Sequence, residues 1–482
     1  MSEAASLLLW LTLAAPLPLG LLALWKPPCQ MRTVVLATGA LPLATLWLLP
    51  RAGEGALHGS LALGGLSLHW RLDALAALLL LLTQLVLLAS AAYGVGHRRA
   101  ALAADAPHAR FWPLLGGLAF ALGVIWVAAD LLLLYAGLEL MGLCAVGMML
   151  LPGKAEAIRA GLRYLLYALV GSLAWLLGVA LLLGAWGTLE LSGLAAVAEP
   201  DATTRIAMAL LAGGLLLKAA IFPLHGWLAP VHASAWTPVS AVHGALVVKA
   251  SFFILITLWR RLLPEAEGAA WALGLLGAAA VLWGGLKAWR ADSLKQVVAW
   301  STVGQLGYLM LAFPLLAGAA ASVASLAWQA TWLQLAGHAL AKAAMFMAAG
   351  NLLFSTGASR LVDLAGTSRR LPLSLMTFGV AAVTLMGLPP SAGFTAKWLL
   401  LQASLESGQW PWAVVLVLGT LLTAAYVFRV LRCSFVEEAP RHEFHPLPRG
   451  TDLTPLLLAL AAVGLGLVAE WPLSLLRQGG VP

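Results

Sequence analysis

Charge is what this sequence has least of. Asp, Glu, Lys and Arg together make up 10% of its 482 residues, whereas hydrophobic residues make up 62%. A soluble globular chain carries about 25% charged and ~45–50% apolar residues, so a water-soluble fold is excluded. Cysteine is scarce too. Cys29, Cys144 and Cys433 stand alone, without CxxC or metal-ligand spacing, which argues against a disulfide framework, an iron–sulfur site and a zinc site. No dinucleotide glycine fingerprint is present, and no ladder of paired histidines offers bis-His haem ligation. The expectation is a protein without cofactor or metal.

What fills the chain instead is long apolar runs, each bounded by charge, Gly or Pro. A bilayer core needs roughly 20 apolar residues per helix. Fourteen spans follow: 5–25, 31–50, 73–96, 111–129, 130–151, 160–187, 203–233, 237–260, 269–287, 294–316, 321–354, 372–405, 411–431 and 453–476. The start, Met1-Ser2-Glu3 followed by an apolar run from Ala4 to Trp25, lacks a positive n-region and a clear cleavage site, and is read as a retained first span. The fold class is all-α and polytopic. Many of the 21 tryptophans, among them Trp10, Trp25, Trp112, Trp186, Trp410, Trp412 and Trp471, fall near span ends, where an amphipathic ring suits the lipid headgroup level.

The net charge of +8 fits basic loops on one side of a membrane better than a nucleic-acid partner. Loops after odd-numbered spans hold eighteen of the 28 Lys and Arg, and the other face holds six: Arg51, Arg71, Arg205, Arg260, Arg261 and Arg477. The positive-inside rule then puts the odd loops in the cytoplasm and both termini outside the cell membrane.

The four remaining cations, Lys218, Lys249, Lys342 and Lys397, lie inside spans, as does one acid near a span centre, Glu139. Each costs at least ~2.5–3.5 kcal/mol to insert. One such residue is as well explained by snorkelling or a structural ion pair. Five in one chain, two beside proline breaks, point to function. Burial disfavours the charged form of an amine and a nearby carboxylate favours it, so a Glu–Lys pair that opens and closes would switch a lysine between holding and releasing a proton. Arginine stays protonated, and none of the four is arginine. His338 lies four residues before Lys342, on the same helical face, and His243 lies six before Lys249. His225 and His232 flank Trp227, where a lone histidine is more often a packing residue.

Proline interrupts two spans, the seventh at Phe222-Pro223 and the twelfth at Leu388-Pro389-Pro390. Such breaks survive in lipid only where the freed backbone is buried in protein or faces water. The two breaks lie five spans apart, an odd number, so five-span units starting at spans four and nine would insert in opposite orientations. That is the arrangement of an inverted repeat with ion sites near the midplane. The domain reading is 1–110 for spans one to three, 111–265 for the first repeat, 266–436 for the second, and 437–482 for span fourteen.

These residues resemble a known family. Lys218-Ala-Ala-Ile-Phe-Pro-Leu-His-Gly-Trp-Leu, followed by Trp236-Thr-Pro-Val-Ser-Ala-Val-His-Gly-Ala-Leu-Val-Val-Lys249, is similar to the signature of antiporter-like membrane subunits. Such subunits occur in respiratory complex I, Mrp-type cation/proton antiporters and membrane-bound hydrogenases. Asp292 to Tyr308, His338 to Phe346 and Gly387 to Lys397 match further blocks. The resemblance implies fourteen core helices with two inverted five-helix repeats, and a proton- or cation/proton-translocating subunit within a larger complex. Its partners would be homologous and accessory membrane subunits, and its cargo protons or sodium. It also implies roles: Glu139 and Lys218 as the ion-pair switch, His243 and Lys249 at the midplane, His338 and Lys342 continuing the path, and Lys397 at its far end. Gln334 stands where some members carry another histidine, so the central relay leans on water. Lys397 stands where one complex I subunit class has glutamate, which fits Mrp D-type or N-type subunits. The chain stops soon after span fourteen, without the long lateral helix of the largest complex I homologue. Membership in an NADH-quinone oxidoreductase-like translocase, a proton-channel subunit of an inorganic-carbon uptake complex and a free-standing carrier of a small solute remain open alternatives. The last would show solute-specific polar groups at the breaks, where only Lys, His, Ser and Thr are found.

Overall fold

A chain with so few polar side chains must satisfy its backbone internally, and helices do this segment by segment. The computed structural model describes residues 3–25, 29–63, 66–100, 107–357, 359–436, 444–448 and 450–478, and these are nearly all helical. Lys26, Arg441 and Arg449 of the charge count, residues 437–443 next to the last domain boundary, and both chain ends lie outside the described residues. Among the described residues, eleven helices are long and apolar enough to cross a bilayer. Leu453–Leu467 with Glu470–Arg477, bent by 64°, makes a twelfth if taken as one.

The seventh and twelfth stretches are absent from that count because each is split. The seventh is Ala202–Lys218 and Leu228–Ser234. The twelfth is Pro372–Met386 and Ala392–Glu406. Both splits fall where proline removes a donor from the helical ladder, and Phe222–Pro223 and Pro389–Pro390 are cis. At the first split Ala220 has φ +53°, a conformation that costs an L-residue about 1–2 kcal/mol. It is held by burial and by Trp227, whose Nε1 donates to the Leu217 carbonyl at 2.9 Å. Trp227 in turn stacks on Tyr164 at 4.0 Å.

Burial ranks the spans. The most apolar window of span eight (Thr237–Leu262) is 100% buried, those of spans ten and eleven 94% and 89%, and that of span six (Ala155–Trp186) only 33%. The lysine-bearing spans eight and eleven are thus central, and span six leaves most of its surface on the outside of the fold. Small residues bring helices close where no hydrophobic force acts between them. A Cβ on Gly171 would sit 2.8 Å from the Gly214 carbonyl oxygen, so spans six and seven touch backbone to backbone just before Lys218.

The all-α reading of the fold holds, with one addition and one correction. The addition is an antiparallel hairpin, Leu57–Leu63 with Leu66–Leu72, in register Gly59 to Trp70. It is tied down by Asp130, whose carboxylate accepts from the His69 and Leu133 amides at 2.8 and 2.7 Å. The correction is that not all the tryptophans named above sit at the lipid surface. Trp410 and Trp471 are exposed, but Trp112 and Trp412 are buried. Trp412 packs against Trp271 at 4.9 Å and donates to Gln409 at 2.7 Å, so its polar edge is satisfied by protein. The Trp25 side chain lies outside the described residues.

Candidate functional site

Lys218 ends the first half of the broken span seven, and its Nζ donates to Glu139 Oε1 at 3.0 Å. Glu139 comes from Leu131–Leu150, and the Ser172 hydroxyl of span six binds the same carboxylate oxygen. The lysine side chain is 6% exposed and the carboxylate 28%. This is the only predicted lysine–acid contact that the structure closes.

Among the described residues the other three lysines meet no acid, and they are held by backbone carbonyls. Span eight loses its α-helical register over His243–Val247, which forms a π turn. A π turn leaves a carbonyl out of the i→i−4 ladder, and Lys249 Nζ donates to that of Gly244 at 2.7 Å. His243 Nδ1 donates to Val239 O at 3.0 Å, and the backbone of Ala145 also acts on the ring. Lys342 Nζ crosses to span ten, donating to Val298 O at 2.9 Å and to the Ser301 hydroxyl. His338 shares its helix with Lys342 as predicted, but both its ring nitrogens lack a protein partner among the described residues. His232 is in the same condition, stacked on Phe346 at 4.7 Å.

Lys397 sits past the break at Pro389 and Pro390, one turn and a half into Ala392–Glu406. Its Nζ donates to Leu385 O at 2.8 Å, Met386 O at 3.2 Å and Thr420 Oγ1 at 3.3 Å, and lies 4.6 Å from the Tyr308 ring centre. Leu385 and Met386 end the first half of span twelve, so the ammonium occupies the negative end of a helix dipole. A Cβ on Gly393 would lie 1.8 Å from Thr384 O. Only glycine lets the two half-helices approach closely enough to form this seat.

Sequence reading named Gln334 but missed Gln305, through which it connects to the second break. Gln334 Nε2 donates to Gln305 Oε1 at 2.9 Å, and Gln305 Nε2 donates to Leu385 O at 3.1 Å, the carbonyl that also takes Lys397. Lys295, counted above as a loop cation, lies in the first turn of span ten and reaches inward to Ala235 O at 2.6 Å. Uncharged Gln and Ser inside an apolar run were the available signal. Among the described residues, no three His, Cys, Asp or Glu side chains gather as a metal site would need.

The region from the end of span four to span thirteen, residues 128–423, matches the family described as NADH:quinone oxidoreductase/Mrp antiporter, transmembrane. The chain belongs to this family. Every residue from Glu139 to Lys397 falls inside the matched region. Family relatives include NADH-quinone oxidoreductase subunit N of Desulforudis audaxviator (strain MP104C), 33% identical over 374 residues that make up 73% of each chain. Among solved structures, a chain of the Mrp complex from Dietzia sp. DQ12-45-1b superposes with TM-score 0.87 at 25% identity, covering 99% of this chain and 97% of that one. A chain of respiratory complex I from Thermus thermophilus superposes with TM-score 0.85 at 24% identity, covering 98% of both; at that identity the likeness speaks for the fold. The chain is a multi-pass membrane protein of the respiratory and Mrp type.

Proposed function

We propose that this chain is a proton-translocating, or cation/proton-translocating, subunit of a multi-subunit membrane complex. The observation that carries the reading is the Glu139–Lys218 pair at a break in a spanning helix. A buried ion pair that loses one partner leaves the other charge uncompensated, at a cost of about 3–5 kcal/mol; with Glu139 28% exposed the cost here falls below that range. A cost of that size drives a proton on or off an amine. While the pair is closed Lys218 holds its proton. When it opens, the proton moves inward.

In this reading the route runs from Lys218 past His243 to Lys249, on past His338 to Lys342, and through Gln334 and Gln305 to Lys397. Buried polar groups without protein partners are normally met by internal water. The ring nitrogens of His232 and His338, without a protein partner among the described residues, therefore support a hydrated middle section. The two broken spans fit units 111–265 and 266–436 acting as inverted repeats, flanked by 1–110 and 437–482. The charge asymmetry supports cytoplasmic odd loops in a cell inner membrane, with both termini on the other side. Relatives named as subunits of NADH-quinone oxidoreductase and of an Mrp complex support neighbouring membrane subunits as partners.

The test is Glu139→Gln in the assembled complex, assayed in inverted membrane vesicles. This change keeps shape and removes the charge. Most transport is expected to vanish, with partial activity in Glu139→Asp, and Glu139→Gln with Lys218→Ala should be no worse than either single change, because residues acting as one unit are non-additive. A nearly active Glu139→Gln, or losses that multiply, means the pair is structural.

A further inference from the structure

The face poor in basic residues carries no lysine at all: its six cations are all arginine. Three of them, Arg71, Arg260 and Arg261, line one cavity of ≈ 650 Å³ between the hairpin and the end of span eight, together with His58 and His69. That volume lies within the range of small-molecule sites, about 300–1,000 Å³. Two carboxylates share the wall, Asp73 and Glu190; Asp73 acts through space on Arg260 and Arg261, and Glu190 on Arg261, and both also have hydrogen bonds of their own. Asp73 pairs with Arg71 at 3.5 Å and accepts from the Ala76 amide at 2.9 Å. Glu190 accepts from the Ser192 hydroxyl. Arg260 and Arg261 make no ion pair among the described residues, and Arg260 Nε is buried with no hydrogen-bond partner.

A buried, unpartnered guanidinium donor is costly, and this side chain is also held in place: its Cζ lies 4.2 Å from the centre of the Trp328 ring. A guanidinium held against an indole is preorganised, and guanidinium forks match paired oxygens of phosphate or carboxylate. We propose that this cavity is a binding site for a phosphate oxyanion, presented as free phosphate or as the headgroup of an anionic phospholipid, with Arg260 and Arg261 as the anion-holding pair. The site is independent of the lysine route and stands or falls without it. Arg260 and Arg261 do share span eight with Lys249, which lies eleven and twelve residues before them, so a bound anion would offset two positive charges on the helix that carries the midplane lysine.

The experiment uses the full chain purified in mild detergent and stripped of lipid. Phenylglyoxal labelling of each arginine is followed by mass spectrometry, alone or with sodium phosphate, with sodium chloride at matched ionic strength, with dihexanoyl phosphatidylglycerol, or with dihexanoyl phosphatidylcholine. Phosphate or phosphatidylglycerol should slow labelling of Arg260 and Arg261 saturably, while the exposed Arg205 on the same face is unaffected. Protection at lower concentration by phosphatidylglycerol identifies a lipid headgroup, and protection by phosphate alone identifies a free oxyanion. In Arg260→Gln with Arg261→Gln, phosphate quenching or enhancement of tryptophan fluorescence should require about tenfold or more higher concentration, with Arg205→Gln unchanged. If the double variant does not fold, protection of the unaltered chain still decides. Equal protection by chloride, or none by either phosphate species, overturns the proposal.

Discussion

The two broken spans hold their lysines by different means. Lys218 closes on a carboxylate, Glu139, whereas Lys397 is seated in the C-terminal carbonyls of its own broken helix, with Thr420 and the Tyr308 ring beside it. A carboxylate is a full charge that can swing away, so the field at Lys218 is switchable. Carbonyls at a helix end are fixed partial charges, worth about half an elementary charge in sum, and cannot leave without unfolding the helix. Under the proposed function, the contrast fits a switch in the first half and a constant, passive seat in the second.

The largest expected effect breaks the first side of this comparison. Lys218→Ala should reduce transport in inverted vesicles to background while the protein still inserts and assembles. Lys218→Arg should fail as well, since a guanidinium keeps its proton at working pH. Full transport with arginine would mean that charge alone is needed at position 218, and the distinction between a switchable and a fixed lysine would collapse.

A second change tries to make the second half a copy of the first. Thr420 Oγ1 lies 3.3 Å from Lys397 Nζ, so Thr420→Glu places a carboxylate beside an amine already satisfied by two carbonyls. The added ion pair should hold the proton too firmly, slowing transport about tenfold, as expected of roughly 1.4 kcal/mol of added stabilisation, without abolishing it. Transport unchanged by Thr420→Glu would show that release from Lys397 never limits the rate.

The third change cuts the polar link between the halves. Gln305→Leu removes the acceptor of Gln334 and the second donor to Leu385 O. One buried amide is left unsatisfied, at a cost of about 1–3 kcal/mol. A lower melting temperature is expected, with a several-fold fall in transport and no effect on the Glu139–Lys218 pair. A normal melting temperature with abolished transport would instead make Gln305 part of the route.

How much of this was legible in the sequence depends on contrast with the apolar background. A lysine or a proline inside a run of Leu and Ala is conspicuous, which is why Lys218, Lys249, Lys342, Lys397 and both breaks could be named by number. Apart from Glu139, named as the partner of Lys218, their partners could not. Whether a lysine meets an acid or a carbonyl depends on where another helix ends, and a π turn such as His243–Val247 leaves no composition signal. The hairpin was legible and overlooked: Gly64-Gly65 between two apolar/polar stretches is a hairpin signal, masked by an expectation of helix everywhere. Trp412 shows the reverse fault. Its place near a span end is compatible with a lipid interface, and only the neighbouring Gln409 and Trp271 make it a core residue.

The smallest predicted effect is the one that sharpens the comparison most, because it asks whether Glu139 acts through its charge or its setting. Ser172 is buried and its hydroxyl carries one proton, shared between the Glu139 carboxylate and the Ala168 carbonyl at 2.9 Å. Only part of a charge-assisted hydrogen bond, worth about 1.5–3 kcal/mol when undivided, therefore reaches Glu139. Ser172→Ala removes that part, keeps the close approach at Gly171 and Gly214, and leaves the carboxylate free to pair with Lys218. Transport should stay within about threefold of the unaltered protein, since a fraction of that bond is less than one tenfold step of ~1.4 kcal/mol. Ser172→Ala added to Glu139→Gln should cost nothing further, because the serine would then act only through an acid that is already gone. If Ser172→Ala alone stops transport as fully as Lys218→Ala, the hydroxyl itself passes the proton, and the first half works as a three-membered relay of Ser172, Glu139 and Lys218.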